Sequence, residues 1–202
     1  MSAPEPIDVS GLPDHAFGHR DPAWWGVVLL ILIEATTMVL MVTSYFYLRG
    51  NFDAWPPAPI GARATAVSVG AIAVLTLSCA TMLVVLRAAV RKRIEQVRVW
   101  MVVTTILSFV FMGMRWLELE ALPFRWTTSA YGSVVWTTFG LHTFHAFAGA
   151  VENALFTAVA FSPRFEDKHF VDAYLNGLFW LFVLVEWLAP FAVFFGEGLL
   201  GG

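Results

Sequence analysis

The sequence has few charged residues and a single cysteine. Only 13% of its 202 residues are Asp, Glu, Lys or Arg, whereas a soluble globular protein carries charge on about a quarter of its residues. The lone Cys79 lies inside an apolar run, which excludes a disulfide framework and a cysteine-based metal site. There is no basic stripe, so nothing indicates nucleic acid as a partner. Together with a hydrophobic content of 58%, these shortages indicate a membrane protein.

Five apolar runs reach the length of about 20 residues that a helix needs to cross a bilayer. They predict an all-α fold, a polytopic bundle of five transmembrane helices, at residues 24–48, 66–86, 99–119, 131–161 and 171–195. Residues 1–22 are polar and acidic and lack the basic start and apolar core of a secretory signal. We therefore predict a cytoplasmic N-terminal tail at 1–22 and one five-helix domain at 23–202. No internal repeat is evident, which argues against a transporter built from paired half-repeats.

Lys and Arg residues are concentrated at one end of the predicted bundle. This end has Arg20, Arg164, Lys168 and five basic residues between runs two and three. The opposite end has only Arg49, Arg63, Arg115 and Arg125. Because basic residues favour the cytoplasmic side, we predict a multi-pass protein of the bacterial inner membrane with a cytoplasmic N-terminus and a periplasmic or extracellular C-terminus.

Three ionisable residues, Glu34, His142 and His145, lie near the middle of predicted helices. Glu34 is about ten residues into the first run, roughly 15 Å deep at 1.5 Å per residue. The histidines reach a similar depth in the fourth run, and residues three apart share a helix face. Because buried charge is costly in a membrane, we hypothesise that runs one and four adjoin and that one histidine hydrogen-bonds Glu34. The other histidine would bond a backbone carbonyl or a hydroxyl group on another helix.

The residues themselves leave three interpretations of the histidines open. They hold neighbouring helices together by hydrogen bonds, they ligate haem or a metal, or they form a proton relay with Glu34. A haem between helices usually takes ligands from two helices, and no other run contains a histidine. Glu118 and Glu120 end the third run at the outer surface, where Arg115 is spaced to pair with Glu118. Like Glu152 in the fourth run and Glu186 in the fifth, they favour helix-packing or interfacial roles. Gly140 and Gly149 predict a close approach of neighbouring helices.

Several motifs occur together in a fixed order. "WPP" at 55–57 follows Glu34, "LELEALPF" occupies 117–124, "YGS" occupies 131–133, and "GLHTFH" occupies 140–145. In order and spacing these motifs resemble the cytochrome c oxidase subunit III family of the haem–copper oxidases, over nearly the whole chain. The length resembles the five-span form of that family.

The chain also departs from the family pattern in two places. In the last run the family typically has a histidine and an aspartate where this sequence has Leu181 and Leu184, and Glu186 is new. Arg115 stands where the family usually has glutamine. These departures leave room for an accessory subunit of a nitric oxide reductase, which resembles the same family, and for a haem-binding membrane redox subunit.

The resemblance implies a non-catalytic subunit of a haem–copper terminal oxidase in an aerobic respiratory chain. Such a subunit carries no catalytic residue, haem or copper of its own, because these centres belong to partner subunits I and II. It packs against subunit I, binds phospholipid between its helices, and supports stability, electron transport and proton uptake. We expect the intramembrane residues with structural or proton-related roles to be Glu34, His142, His145, Glu118 and Glu186.

Overall fold

The computed structural model describes residues 15–200, with side chains described as far as Gly196. A short 3-10 turn precedes five helices: α1 (Pro22–Arg49), α2 (Ala62–Val90), α3 (Ile94–Ala121), α4 (Ala130–Ala160) and α5 (Lys168–Leu200). Every predicted helix is present, and most extend a few residues past both predicted ends, since the capping residues lie outside the apolar runs. Most of the predicted N-terminal tail, residues 1–14, lies outside the described residues.

Polar side chains define where two of the helices begin. Asp21 precedes Pro22 and accepts hydrogen bonds from the backbone N–H groups of Ala23 at 2.9 Å and Ala16 at 3.0 Å. Ser129 accepts from the N–H of Gly132 at 3.0 Å at the start of α4. Since the first N–H groups of a helix have no partner within it, these caps stabilise the starts of α1 and α4.

The helices form a closed ring with one helix outside it. Helix α2 packs against α3, α3 against α4, α4 against α5, and α5 back against α2. Helix α1 packs on the seam between α4 and α5, and among the described residues it makes no close backbone contact with α2 or α3. The predicted contact between the first and fourth helices is therefore present.

Four of the helices, α1, α2, α3 and α5, are long and apolar enough to cross a membrane. Helix α4 is long enough at 31 residues, but two histidines, Glu152 and Asn153 lower its mean hydropathy. The chain is thus a helical membrane bundle, and the count of five spans stays a prediction.

One end of the bundle carries the basic loops and is held by ionic contacts. Lys92 Nζ lies 2.6 Å from Asp167 Oδ2 and so joins the α2–α3 turn to the α4–α5 loop. This hydrogen-bonded ammonium group lowers the pKa of the Asp167 carboxyl group. Arg98 Nε donates to the carbonyl of Ala160 at 2.8 Å, where the last carbonyls of α4 need partners. Arg115, which the sequence assigned to the opposite end, has its side chain buried inside the bundle.

Small residues allow close helix contacts at specific points. A Cβ atom on Gly149 would lie 2.7 Å from Cε3 of Trp180, so only glycine fits there between α4 and α5. The same prediction is wrong for Gly140, where a Cβ would meet nothing within 4 Å because the residue faces outwards. Within a bilayer, such packing and interhelical hydrogen bonds, rather than the hydrophobic effect, hold helices together.

Candidate functional site

A continuous chain of polar side chains crosses the bundle and includes a residue from every helix. We call it the buried polar cluster. It lies between a mainly aliphatic core towards the basic end and an aromatic core towards the other end. Its members are Glu34 of α1, Ser68 of α2, Arg115 and Glu118 of α3, His142 and His145 of α4, and Glu186 of α5.

An ion pair between Arg115 and Glu118 forms the first part of this cluster. Arg115 Nη1 lies 2.5 Å from Glu118 Oε2, and the two side chains are 1% and 0% exposed. The Ser68 hydroxyl group donates to the other carboxylate oxygen of Glu118. The guanidinium carbon lies 4.3 Å from the ring centroid of Trp187, a cation–π contact in a site without water-exposed surface. The pair is therefore an intramembrane charge pair with complete burial of both partners.

His142 continues the cluster from α3 to α5. Its Nδ1 lies 2.7 Å from Arg115 Nη2, and its Nε2 lies 2.9 Å from the carbonyl oxygen of Val183. A guanidinium group can only donate, so Nδ1 must accept and the proton is on Nε2, which donates to Val183. The hydrogen-bond partners thus assign His142 as a neutral imidazole in the Nε2–H tautomer. The ring stacks on Trp187 at a centroid distance of 4.4 Å.

His145, one turn further along α4, contacts two carboxylates on two other helices. Its Nδ1 lies 2.9 and 3.0 Å from the two oxygens of Glu186, and its Nε2 lies 2.8 Å from Glu34 Oε2. Glu186 Oε1 is also 4.0 Å from His142 Nε2, which links the two histidines. The exposed fraction is 4% for the His145 side chain, 1% for Glu186 and 26% for Glu34.

The structure brings the five sequence-predicted residues together in this one cluster. The hypothesised hydrogen bond between Glu34 and a histidine is present at His145, and the second histidine bonds a backbone carbonyl on α5. Glu118, near the end of run three, has its side chain inside the bundle, where it contacts Ser68 and makes the predicted pair with Arg115. The roles of these residues stay predictions.

The predicted pairing of Arg115 with Glu118 is present. Sequence reasoning missed the contact of Arg115 with His142 and the ring of Trp187 that covers the guanidinium group. The available signal was that two departures from the family pattern, the cation Arg115 and the anion Glu186, both lie in apolar runs. Glu152 was considered with the other glutamates, but it is exposed on α4 and outside the cluster.

A second set of buried polar groups lies nearer the basic end. Trp180 Nε1 donates to Ser78 Oγ at 3.0 Å, and Asn176 Nδ2 donates to Asn153 Oδ1 at 2.9 Å. These bonds join α5 to α2 and α4 and fit the helix-packing role that polar side chains have in membranes.

Two grooves run along the sides of α1, where it packs on the ring. One is a cavity of about 250 Å³ between α1 and α5, lined by apolar side chains such as Met38 and Val185 and by Glu186. The other, about 220 Å³, has Val27, Leu155 and Phe179 on its walls. The first groove is almost wholly apolar, whereas the second also has Glu152, Asp172 and Asn176 on its walls.

The chain is similar to known proteins along nearly all of its length. The family model "Cytochrome c oxidase subunit III" matches residues 9–198. The "Cytochrome c oxidase subunit 3" of Thermostichus vulcanus is 23% identical over 190 residues, covering 90% of each chain. Proteins named "Probable cytochrome c oxidase subunit 3" from Nocardia farcinica and Mycobacterium leprae are 25% and 26% identical over 185 residues, covering 90% of this chain and 91% of theirs.

Proposed function

Because the chain belongs to the cytochrome c oxidase subunit III family, we propose that it works as a non-catalytic membrane subunit of a haem–copper terminal oxidase. The observation that carries this function is the family match, which extends through all five helices. The names of the relatives do not favour the nitric oxide reductase alternative. The chain associates with other oxidase subunits, and we propose that these are subunit I and, in addition, subunit II.

The geometry of the two buried histidines supports a chain that holds no haem or copper of its own. Each ring nitrogen of His142 and His145 already lies 2.7–3.0 Å from a protein atom on another helix. A haem or copper ligand needs a nitrogen lone pair free for the metal. Ligation would require these contacts to break, so we propose that haem and copper are held by the partner subunits.

The burial pattern of α4 supports five spans rather than four. Its polar residues His142, His145 and Asn153 face the inside of the bundle, while Phe144 and Leu155 are exposed on its outer face. A helix of 31 residues is about 46 Å long at 1.5 Å per residue, enough to cross a bilayer. Three of the four polar residues that lower its mean hydropathy are therefore shielded from lipid, and only Glu152 is exposed.

The ends of the bundle differ in charge in a way that supports the proposed orientation. The basic loops meet at one end, and with Arg115 buried the opposite end keeps only Arg49, Arg63 and Arg125. We place the basic end in the cytoplasm of a bacterial cell and the protein in the inner membrane. Phospholipid chains would lie in the two grooves beside α1.

Purification of the full chain tests the proposed function directly. A tag on the N-terminus and a mild detergent should recover the chain with larger partner chains and with a haem spectrum that changes on reduction. An untagged preparation from the same cells is the control. Recovery of the chain without haem-containing partners would contradict the proposal. A haem band that stays with the chain after the partners are stripped, and is lost in His142→Ala, would favour a redox subunit instead.

A further inference from the structure

The contacts of His145 require more protons than a neutral imidazole can supply. A neutral imidazole has one N–H donor and one lone pair, whereas an ionised carboxylate only accepts. Both His145 nitrogens face carboxyl oxygens, Nδ1 at Glu186 and Nε2 at Glu34. If His145 were neutral between two ionised carboxylates, one nitrogen lone pair would point at an oxygen lone pair at 2.8–3.0 Å. One extra proton removes that repulsion.

We infer that Glu34, His145 and Glu186 form a proton-binding site in which His145 is held as an imidazolium. Nδ1–H donates to Glu186, whose two oxygens lie at nearly equal distances from it, and Nε2–H donates to Glu34. The ligand is a single proton. The site requires Glu186, which the family pattern lacks. The inference holds whichever complex the chain joins.

The groups around the site support a positive charge on His145. Arg115 of α3 is engaged by Glu118, so those two charges balance each other. His142 of α4 is neutral, because it accepts from Arg115. Glu186 from α5 and Glu34 from α1 are then the charged groups that face the His145 ring. A carboxylate close to each nitrogen favours the charged form of an imidazole.

One member of the site is partly exposed at the surface of the bundle. Glu34 is 26% exposed, whereas His145 and Glu186 are 4% and 1% exposed at their side chains. Helix α1 is also the outermost helix, with large apolar side chains such as Ile33 exposed beside Glu34. Glu34 is therefore the member of the site that is nearest to the surface of the bundle.

Solid-state ¹⁵N spectroscopy of the full chain in lipid nanodiscs, with ring-labelled histidine, tests this assignment. A free imidazole is about one-tenth protonated at pH 7.5. We expect His145 to show two protonated ring nitrogens at that pH, and His142 to show one, at Nε2. Glu186→Gln keeps the hydrogen-bond acceptor but removes the charge, so the doubly protonated fraction should fall at least twofold. The matched control Glu152→Gln changes a carboxyl group on α4 that contacts neither histidine, and should leave the fraction unchanged.

The signal of the wild-type chain decides the inference even if a variant fails to fold. An unprotonated ring nitrogen on His145 at pH 7.5 would overturn it. In Glu186→Gln, the neutral signal of His142 reports whether the bundle is intact. An intact bundle with an unchanged His145 signal would also overturn the inference, whereas a reduced signal supports it.

Discussion

The ion pair between Arg115 and Glu118 should be the most sensitive point of the bundle to a single substitution. Arg115→Gln keeps a hydrogen-bond donor of smaller size but leaves the Glu118 carboxylate buried, with only the Ser68 hydroxyl group as a partner. Removing one partner of a buried ion pair costs about 3–5 kcal/mol. An ordinary interhelical hydrogen bond in a membrane protein contributes only about 0.6 kcal/mol on average. Because both side chains are completely buried, the larger cost, that of a broken buried ion pair, applies here.

A double-mutant cycle measures the effect without confusing it with lost packing. The free energy of unfolding would be followed by denaturant titration of the chain in mixed micelles. We expect Arg115→Gln and Glu118→Gln each to lower it by about 3–5 kcal/mol. The double variant leaves no unpaired charge at these positions, so its loss should be at least about 2 kcal/mol smaller than the sum of the single losses. Additivity within about 0.5 kcal/mol would refute the reasoning.

Three further predictions concern assembly, topology and packing. Glu34→Gln should leave the chain in the purified complex, because an amide can keep one hydrogen bond to His145, whereas Glu34→Leu should reduce the amount that co-purifies. A reporter that is active only in the cytoplasm should be silent when it is fused after Gly202. Activity of this reporter would show that the orientation is the opposite of the one proposed. Gly149→Leu should lower the free energy of unfolding by about 1–3 kcal/mol or more, since the new side chain would collide with Trp180. An unchanged unfolding midpoint would contradict that close contact.

The helices and two contacts of the site could be predicted from the sequence. Apolar runs of about 20 residues are a strong signal because the bilayer sets their length. The contact of Glu34 with one of the two histidines followed from similar depth and from the need to pair a carboxylate inside a membrane. The pairing of Arg115 with Glu118 followed from their spacing of three residues. These arguments use only position along a helix, which the sequence gives directly.

The direction in which each helix faces could not be predicted in the same way. Most residues in these runs are apolar on all sides, so no amphipathic stripe shows which face points inwards. The sequence therefore did not show that the side chains of Glu118 and Arg115, near the outer end of run three, point into the bundle. The position of α1 outside a ring of four helices also depends on the packing of the whole bundle. The role of Trp187 could not be predicted either, because its ring contacts Arg115 only through the packing of α5 against the other helices.

Oxygen consumption by the oxidase with and without this chain is the most direct test of a supporting, non-catalytic role. Complexes would be purified from wild-type cells and from cells lacking the gene, matched by the amount of subunit I, and followed through many turnovers. Without the chain, we expect the haem and copper spectra to remain and the rate of oxygen uptake to decline faster during turnover. A haem or copper signal that leaves with the chain, while the partner subunits stay intact before turnover, would contradict a non-catalytic role. An identical rate and time course would show that it does not support the enzyme.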